Sequence, residues 1–300
     1  MFDNLISKLK NGSLLTLETT PSHSAQFTPI VEKIRLLGLD GLVDGFTTTD
    51  NPLAKLKYNS LFAAKILQDS FSKPAIATMS MRDRNSIALQ SDLLGANEAN
   101  VRAILALTGD PATMSDQEGA KGVFEADSTK LLAMISSFNS GVDLMDKQFL
   151  APPKEIYPFA VINSHAKNPK TLLKKMQKKA TNGALALISQ PVYDTNSAKV
   201  LLDLLEAANK SSSSQMELIL GFFPITKLRT AKFLYSNVPG IKVPLEWIEA
   251  LEDASKRGEG EEYKVGFDLS KRVYEDLQAL HPKIHLMSAN QFELAKEIIL

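Results

Sequence analysis

The stretch Asn85–Pro111, NSIALQSDLLGANEANVRAILALTGDP, reads as a helix that hands the chain to a strand and then stops on a charge. Its first part, Asn85–Asn100, carries apolar residues at helical spacing, and Val101–Gly109 is a short aliphatic run closed by Gly-Asp-Pro. A carboxylate, Asp110, therefore follows directly on an apolar strand, and the fold has to account for it.

The same rhythm runs outward on both sides. Further strand-like runs are Leu14–Glu18, Leu42–Phe46, Pro74–Met81, Tyr157–Asn163, Gly183–Gln190, Met216–Phe223 and Lys283–Ala289. Helical spacing fills the intervals at Phe27–Gly38, Asn51–Gln68, Ser128–Gly141, Asn168–Gly183, Thr195–Lys210 and Lys227–Asn237, and again at Ala289–Leu300. Strands alternating with amphipathic helices signal βαβ units and a parallel sheet. Eight such units in one series predict an α/β fold of a definite kind, a single (β/α)8 TIM barrel spanning residues 1–300 as one domain. A doubly wound sheet competes, but it would carry a glycine-rich turn after its first strand, and Leu17–Ser24, LETTPSHS, has no glycine. The KSSSSQ run at Lys210–Gln215 falls where a surface loop before strand seven is due, not a domain boundary.

Composition narrows the function classes. The 34 basic and 34 acidic residues cancel, so no global field draws the chain to nucleic acid or an anionic membrane. There is no cysteine, which removes thiolate metal sites, iron-sulfur clusters and cysteine nucleophiles; redox chemistry would need an organic cofactor. The four histidines show no ligand spacing, and no metal site is expected. No apolar run reaches the roughly 20 residues of a membrane span, and the N-terminus has no apolar signal core; a soluble cytoplasmic protein is expected.

In a TIM barrel the active site lies at the C-terminal ends of the strands. Polar residues due there are Glu18, Thr47 to Asp50, Ser80, Arg82, Asp83, Thr108, Asp110, Asn163, His165, Gln190, the Phe222-Phe223-Pro224 turn, Ser288 and Asn290. Each has a structural alternative. Glu18 could pair with a structural cation, Asp110 could cap a turn, and Gln190 could bond a neighbouring backbone. The charges of Met81–Asn85 could be a solvated helix start with Asp83 facing the helix dipole. Lys175 and Lys179 share a helix face and suit either a phosphate or bulk water.

The segments LETTP, TDNPLAKLKYNSLFAAKIL, RDRNSIALQSDLLGANEANVRAILALTGDP, ISQPVYD, GFFPITKLRTAKFL and VPLEWIEALE together resemble methylenetetrahydrofolate reductase, in its short bacterial catalytic-domain form, over nearly the whole chain. The resemblance implies a flavoprotein barrel that reduces 5,10-methylenetetrahydrofolate to 5-methyltetrahydrofolate in one-carbon and methionine metabolism, with FAD in the mouth. Glu18 matches the family's general acid. Asp110 matches the aspartate that contacts the pterin beside the flavin, and Gln190 the glutamine that hydrogen-bonds the pterin. Thr48 or Thr49, Thr78, Thr108, Gly109, Phe124 and Asn163 fall at flavin-lining positions, and Lys175 and Lys179 on the helix that meets the pyrophosphate. Phe222, Phe223 and Leu228 fall near the loop position that stacks on substrate.

Departures cluster on the donor side. Thr78 replaces a histidine, Thr108 an arginine, and Leu228 the stacking phenylalanine, so NADH is a candidate donor and not a given one. The resemblance also admits a homo-oligomer or a redox partner subunit. A folate-binding or redox-partner subunit without its own nicotinamide-linked turnover is the alternative.

Overall fold

The computed structural model describes residues 1–212, 214–238 and 240–300. Eight parallel strands close in chain order, the last pairing with the first. They are β1 (Leu14–Thr19), β2 (Gly45–Thr48), β3 (Ala75–Ser80), β4 (Ala103–Leu107), β5 (Tyr157–Ile162), β6 (Ala186–Pro191), β7 (Glu217–Phe222) and β8 (Lys283–Leu286). Helices between the strands complete the (β/α)8 TIM barrel that the alternation predicts.

Side chains on a strand alternate between its two faces, and this decides the depth of every site residue. Leu14, Ile76, Leu105, Phe159, Ile188 and Ile219 form an apolar interior cluster, while Leu17, Phe46, Ala106, Leu220 and Phe222 face outward onto the helices. Polar side chains follow two residues further along several inward rows, as in Leu14, Thr16, Glu18 and in Ile188, Gln190. The interior therefore changes from apolar to polar toward the strands' C-terminal ends.

The other end is plugged. The helix Phe2–Asn11 adds Phe2, Leu5 and Leu9 to the interior cluster. Phe2 stacks on Tyr157 with ring centroids 5.5 Å apart, and the Arg102 guanidinium lies 4.7 Å from the Phe2 centroid. Lys8 pairs with Asp44 at 2.5 Å.

Three features depart from the sequence expectation. Leu42 belongs to a short helix, Leu39–Leu42, and the second strand begins only at Gly45, because Asp44 turns inward to accept the Leu15 amide at 2.8 Å. The helix expected from Asn51 begins at Ser60, capped by Asn59, since Asn51, Leu53 and Ala54 all take left-handed backbone angles. Between β7 and β8 two further helices, Leu245–Ser255 and Glu259–Leu280, pack on each other. In the Lys210–Gln215 loop, Ser213 lies outside the described residues. No helix among the described residues is long and apolar enough to cross a membrane.

Candidate active site

A cavity of about 400 Å³ opens at the C-terminal end of the barrel, and Glu18, Asp110 and Gln190 all border it. Thr49, Thr78, Thr108, Gly109, Asn163 and Lys179 border it as well. Residues on or just after strands β1 to β6 and β8 thus converge, Glu18 and Met287 being the furthest apart in sequence.

Glu18 is the last inward side chain of β1, and its carboxyl is 22% exposed. His285 on the neighbouring strand β8 brings Nε2 within 3.8 Å of Glu18 Oε2. The other ring nitrogen, Nδ1, exchanges a hydrogen bond of 2.9 Å with Thr16 Oγ1, and both partners are buried. Thr16 thereby fixes the ring, and the ring faces the carboxyl. The spacing of the histidines speaks only to metal binding and does not reveal His285; its inward register beside Thr16 does.

Asp110 follows a turn that requires glycine. Gly109 has φ +95°, and a Cβ there would lie 2.8 Å from the Arg82 Cβ and 3.2 Å from the Ser80 Cβ. One Asp110 oxygen, Oδ2, accepts the Leu53 amide at 2.7 Å. That bond holds the left-handed Asn51–Ala54 segment against the mouth, so Asp110 serves a loop as well as facing the cavity. Strained non-glycine backbone held by specific bonds is a recurrent feature of ligand sites.

Arg82 is not part of a solvated helix start. It is 2% exposed, donates from Nε and Nη2 to both oxygens of Asp83, and reaches the Asn51 carbonyl at 3.0 Å. The hydrogen bonds to Asp83 outweigh burial and hold the Arg82 pKa above its ordinary value. Burial pushes the Asp83 carboxyl upward, but Arg82 overcomes this and keeps it low. Asp50 is buried too, and is neutralised by Arg84 at 2.7 Å.

Gln190 owes its direction to an irregularity. The β6–β7 register shifts between Ile188 and Pro191, and Ser189 Oγ both accepts the Gly221 amide at 2.9 Å and donates to the Gln190 carbonyl at 2.8 Å. Such a bulge re-aims the side chain beside it.

Lys179 is the cation on the far wall. Its Nζ approaches Ser128 Oγ at 3.5 Å, while the nearby Asp127 is ion-paired to Lys178 instead. Burial pushes its pKa down to about 8. A half-buried ammonium with no bonded carboxylate, beside the Thr108 and Ser128 hydroxyls, fits an anionic phosphate such as that of FAD.

Other expected contacts lie elsewhere. Thr48 points away from the barrel axis and donates to the Ser60 carbonyl at 2.9 Å; Thr49, one residue on, takes the cavity position. Phe222 is fully buried among Tyr193 and Tyr274, because its place on β7 faces the helices. Phe223 is half-buried and offers its carbonyl to Tyr193, and Leu228 opens a helix with its amide on Glu262. None of these three borders the cavity. Phe124 is exposed, since the preceding Val123 amide is anchored on the Arg82 carbonyl, and Lys175 is exposed one helical turn from Lys179.

A closed (β/α)8 barrel with carboxylates, an amide and a half-buried ammonium around one C-terminal cavity defines the TIM-barrel class, whose active sites lie at that end. The chain belongs to the methylenetetrahydrofolate reductase family, whose model matches residues 6–300. Among solved structures it is similar to a protein from Clostridium thermocellum described as binding two copies of 5-methyl-5,6,7,8-tetrahydrofolic acid, at 16% identity and a TM-score of 0.64, covering 98% of this chain and 96% of that one. DmoA from Hyphomicrobium sulfonivorans shares the fold at 9% identity and a TM-score of 0.56, with 96% and 86% covered. No curated protein matches the sequence.

Proposed function

We propose that this chain is an FAD-dependent reductase of 5,10-methylenetetrahydrofolate that forms 5-methyltetrahydrofolate. The observation that carries the proposal is the convergence of Glu18, Asp110 and Gln190 on one cavity that also holds a half-buried cation with no carboxylate bonded to it, Lys179. Family membership and a structural neighbour that binds 5-methyltetrahydrofolate support a folate ligand.

FAD, when bound, supplies the hydride. The chain's own groups do the rest. Lys179, Thr108 and Ser128 would hold its phosphates, and Thr49, Thr78 and Asn163 line the remaining wall. Gln190 both donates and accepts, matching the alternating edge of a pterin. The Asp110 oxygen not bonded to Leu53 takes the pterin's amino hydrogens. Glu18 delivers the proton that opens the folate's five-membered ring, and the His285–Thr16 pair sets its carboxyl in place.

Glu18→Gln keeps the shape and removes the proton. The variant is expected to bind FAD and folate as wild type while folate reduction falls by about 10² to 10⁴-fold, the usual worth of a positioned acid. Unchanged turnover removes Glu18 from the chemistry. A wild-type protein that binds folate, takes up no flavin and gives no turnover with NADH favours the binding-subunit alternative.

A further inference from the structure

Where β2, β3 and β4 end, three polar groups lack a hydrogen-bond partner among the described residues. Thr49 Oγ1 and Ser80 Oγ are sealed from solvent and unbonded. Arg82 commits Nε and Nη2 to Asp83 and Asn51, and no bond reaches its Nη1. The three surround one turn: Arg82 and Ser80 are the nearest side chains to the place a Cβ on Gly109 would occupy, and Thr49, Arg82 and Gly109 all border the cavity. A buried hydroxyl left unbonded costs about 1–3 kcal/mol, and native folds carry few of them. Two in one corner, at the edge of a cavity that Thr49 borders, mark a subsite that a ligand completes.

Charge decides what kind of atom belongs there. Asp83 neutralises Arg82 through a two-bond pair, Arg84 neutralises Asp50, and Asp110 stands one residue from Gly109. The corner therefore presents donors without net positive charge, and the Asp110 carboxylate repels a phosphate. A neutral carbonyl oxygen carrying partial negative charge suits it. The opposite wall has the reverse character, because Lys179 is a cation with no carboxylate bonded to it.

The geometry points to Arg82 and Thr49, with Ser80 packed behind them, as the subsite for a ring carbonyl, the oxopyrimidine edge that flavins and pterins share, with Arg82 setting which way round the ligand lies. Phosphates go to Lys179 and the ring carbonyl goes to Arg82. This assignment rests on the flavin and folate reading above and adds an orientation to it.

Ligand fragments separate the two ends. Riboflavin has the ring without phosphate, ADP has the phosphates without that ring, and 5-methyltetrahydrofolate supplies the pterin; each is titrated by fluorescence or calorimetry. Arg82→Gln is expected to weaken riboflavin about tenfold or more, the worth of one charge-assisted hydrogen bond, and to leave ADP unchanged. Lys179→Met gives the mirror pattern. If the loss falls on the folate in place of riboflavin, the subsite stands and its carbonyl is the pterin's. Should Arg82→Gln not fold, Thr49→Val keeps the side-chain shape and gives the same selective loss on a smaller scale. Equal losses on all three ligands, or none, overturn the assignment, since a merely structural role has no preference for the ring. Wild-type protein that binds folate but neither riboflavin nor ADP overturns the flavin reading, and the folate arm alone then decides Arg82.

Discussion

Replacing Lys179 by Met tests the electrostatics of the cavity directly. The side chain keeps most of its length and loses its charge. Burial lowers the ammonium's pKa from 10.5 to about 8. A shift of that size corresponds to roughly 3 kcal/mol against the charged form, at about 1.4 kcal/mol per unit. The sign follows from proton counts. Between about pH 8 and 10.5 the unfolded chain holds a proton that the folded chain has released, so stability rises with pH across that window, and the full penalty operates below it. Lys179→Met removes the penalty. The ligand-free variant is expected to be more stable by roughly 1–3 kcal/mol in urea at pH 7, and to lose the rise in stability between pH 8 and 10.5. It is also expected to bind FAD about 10 to 100-fold more weakly, through loss of a charge-assisted contact to phosphate. Urea titrations at pH 7 and pH 10, with FAD fluorescence titrations beside them, read both effects. A variant that is less stable at pH 7, keeps the pH dependence and binds FAD as wild type would refute the picture of a desolvated cation awaiting an anion.

Two further outcomes follow from single contacts. Gly109→Ala puts a Cβ 2.8 Å from the Arg82 Cβ at φ +95°, and urea unfolding should show a loss of about 1–3 kcal/mol; wild-type stability would mean that the turn relaxes freely. Asp110→Asn retains an oxygen for the Leu53 amide and loses the charge, so hydrogen exchange at Leu53 should stay protected while folate affinity falls, whereas Asp110→Ala should lose both. Wild-type folate binding in both variants would leave Asp110 with its loop role alone.

The alternation of short apolar runs with helical spacing was enough to place eight strands and close them into a barrel, because period two and period 3.6 are both strong in this chain. What periodicity alone left open was local. Asp44 and the left-handed Asn51–Ala54 segment shift element boundaries through particular hydrogen bonds, and no window average registers one carboxylate accepting one amide. The helices Leu245–Ser255 and Glu259–Leu280 fall between β7 and β8, where the alternation calls for only one helix and the helix Leu228–Asn237 already supplies it. In the site, Glu18, Asp110 and Gln190 were legible because each ends an apolar run. The inward or outward sense of neighbouring positions was harder to read: Thr49 and not Thr48 reaches the cavity, and Phe222 turns into the core. His285 and Arg82 acquire meaning only through contacts with residues distant in the chain, Thr16 and Asn51 among them.

The central claim is that one cavity brings a flavin and a folate together for hydride transfer. It is tested most directly by the anaerobic visible spectrum of the purified protein loaded with FAD, before and after addition of 5-methyltetrahydrofolate. The account predicts that the oxidised flavin band bleaches as the folate delivers its hydride in reverse. A protein that takes up no FAD, or whose flavin band is untouched by saturating folate, would contradict it.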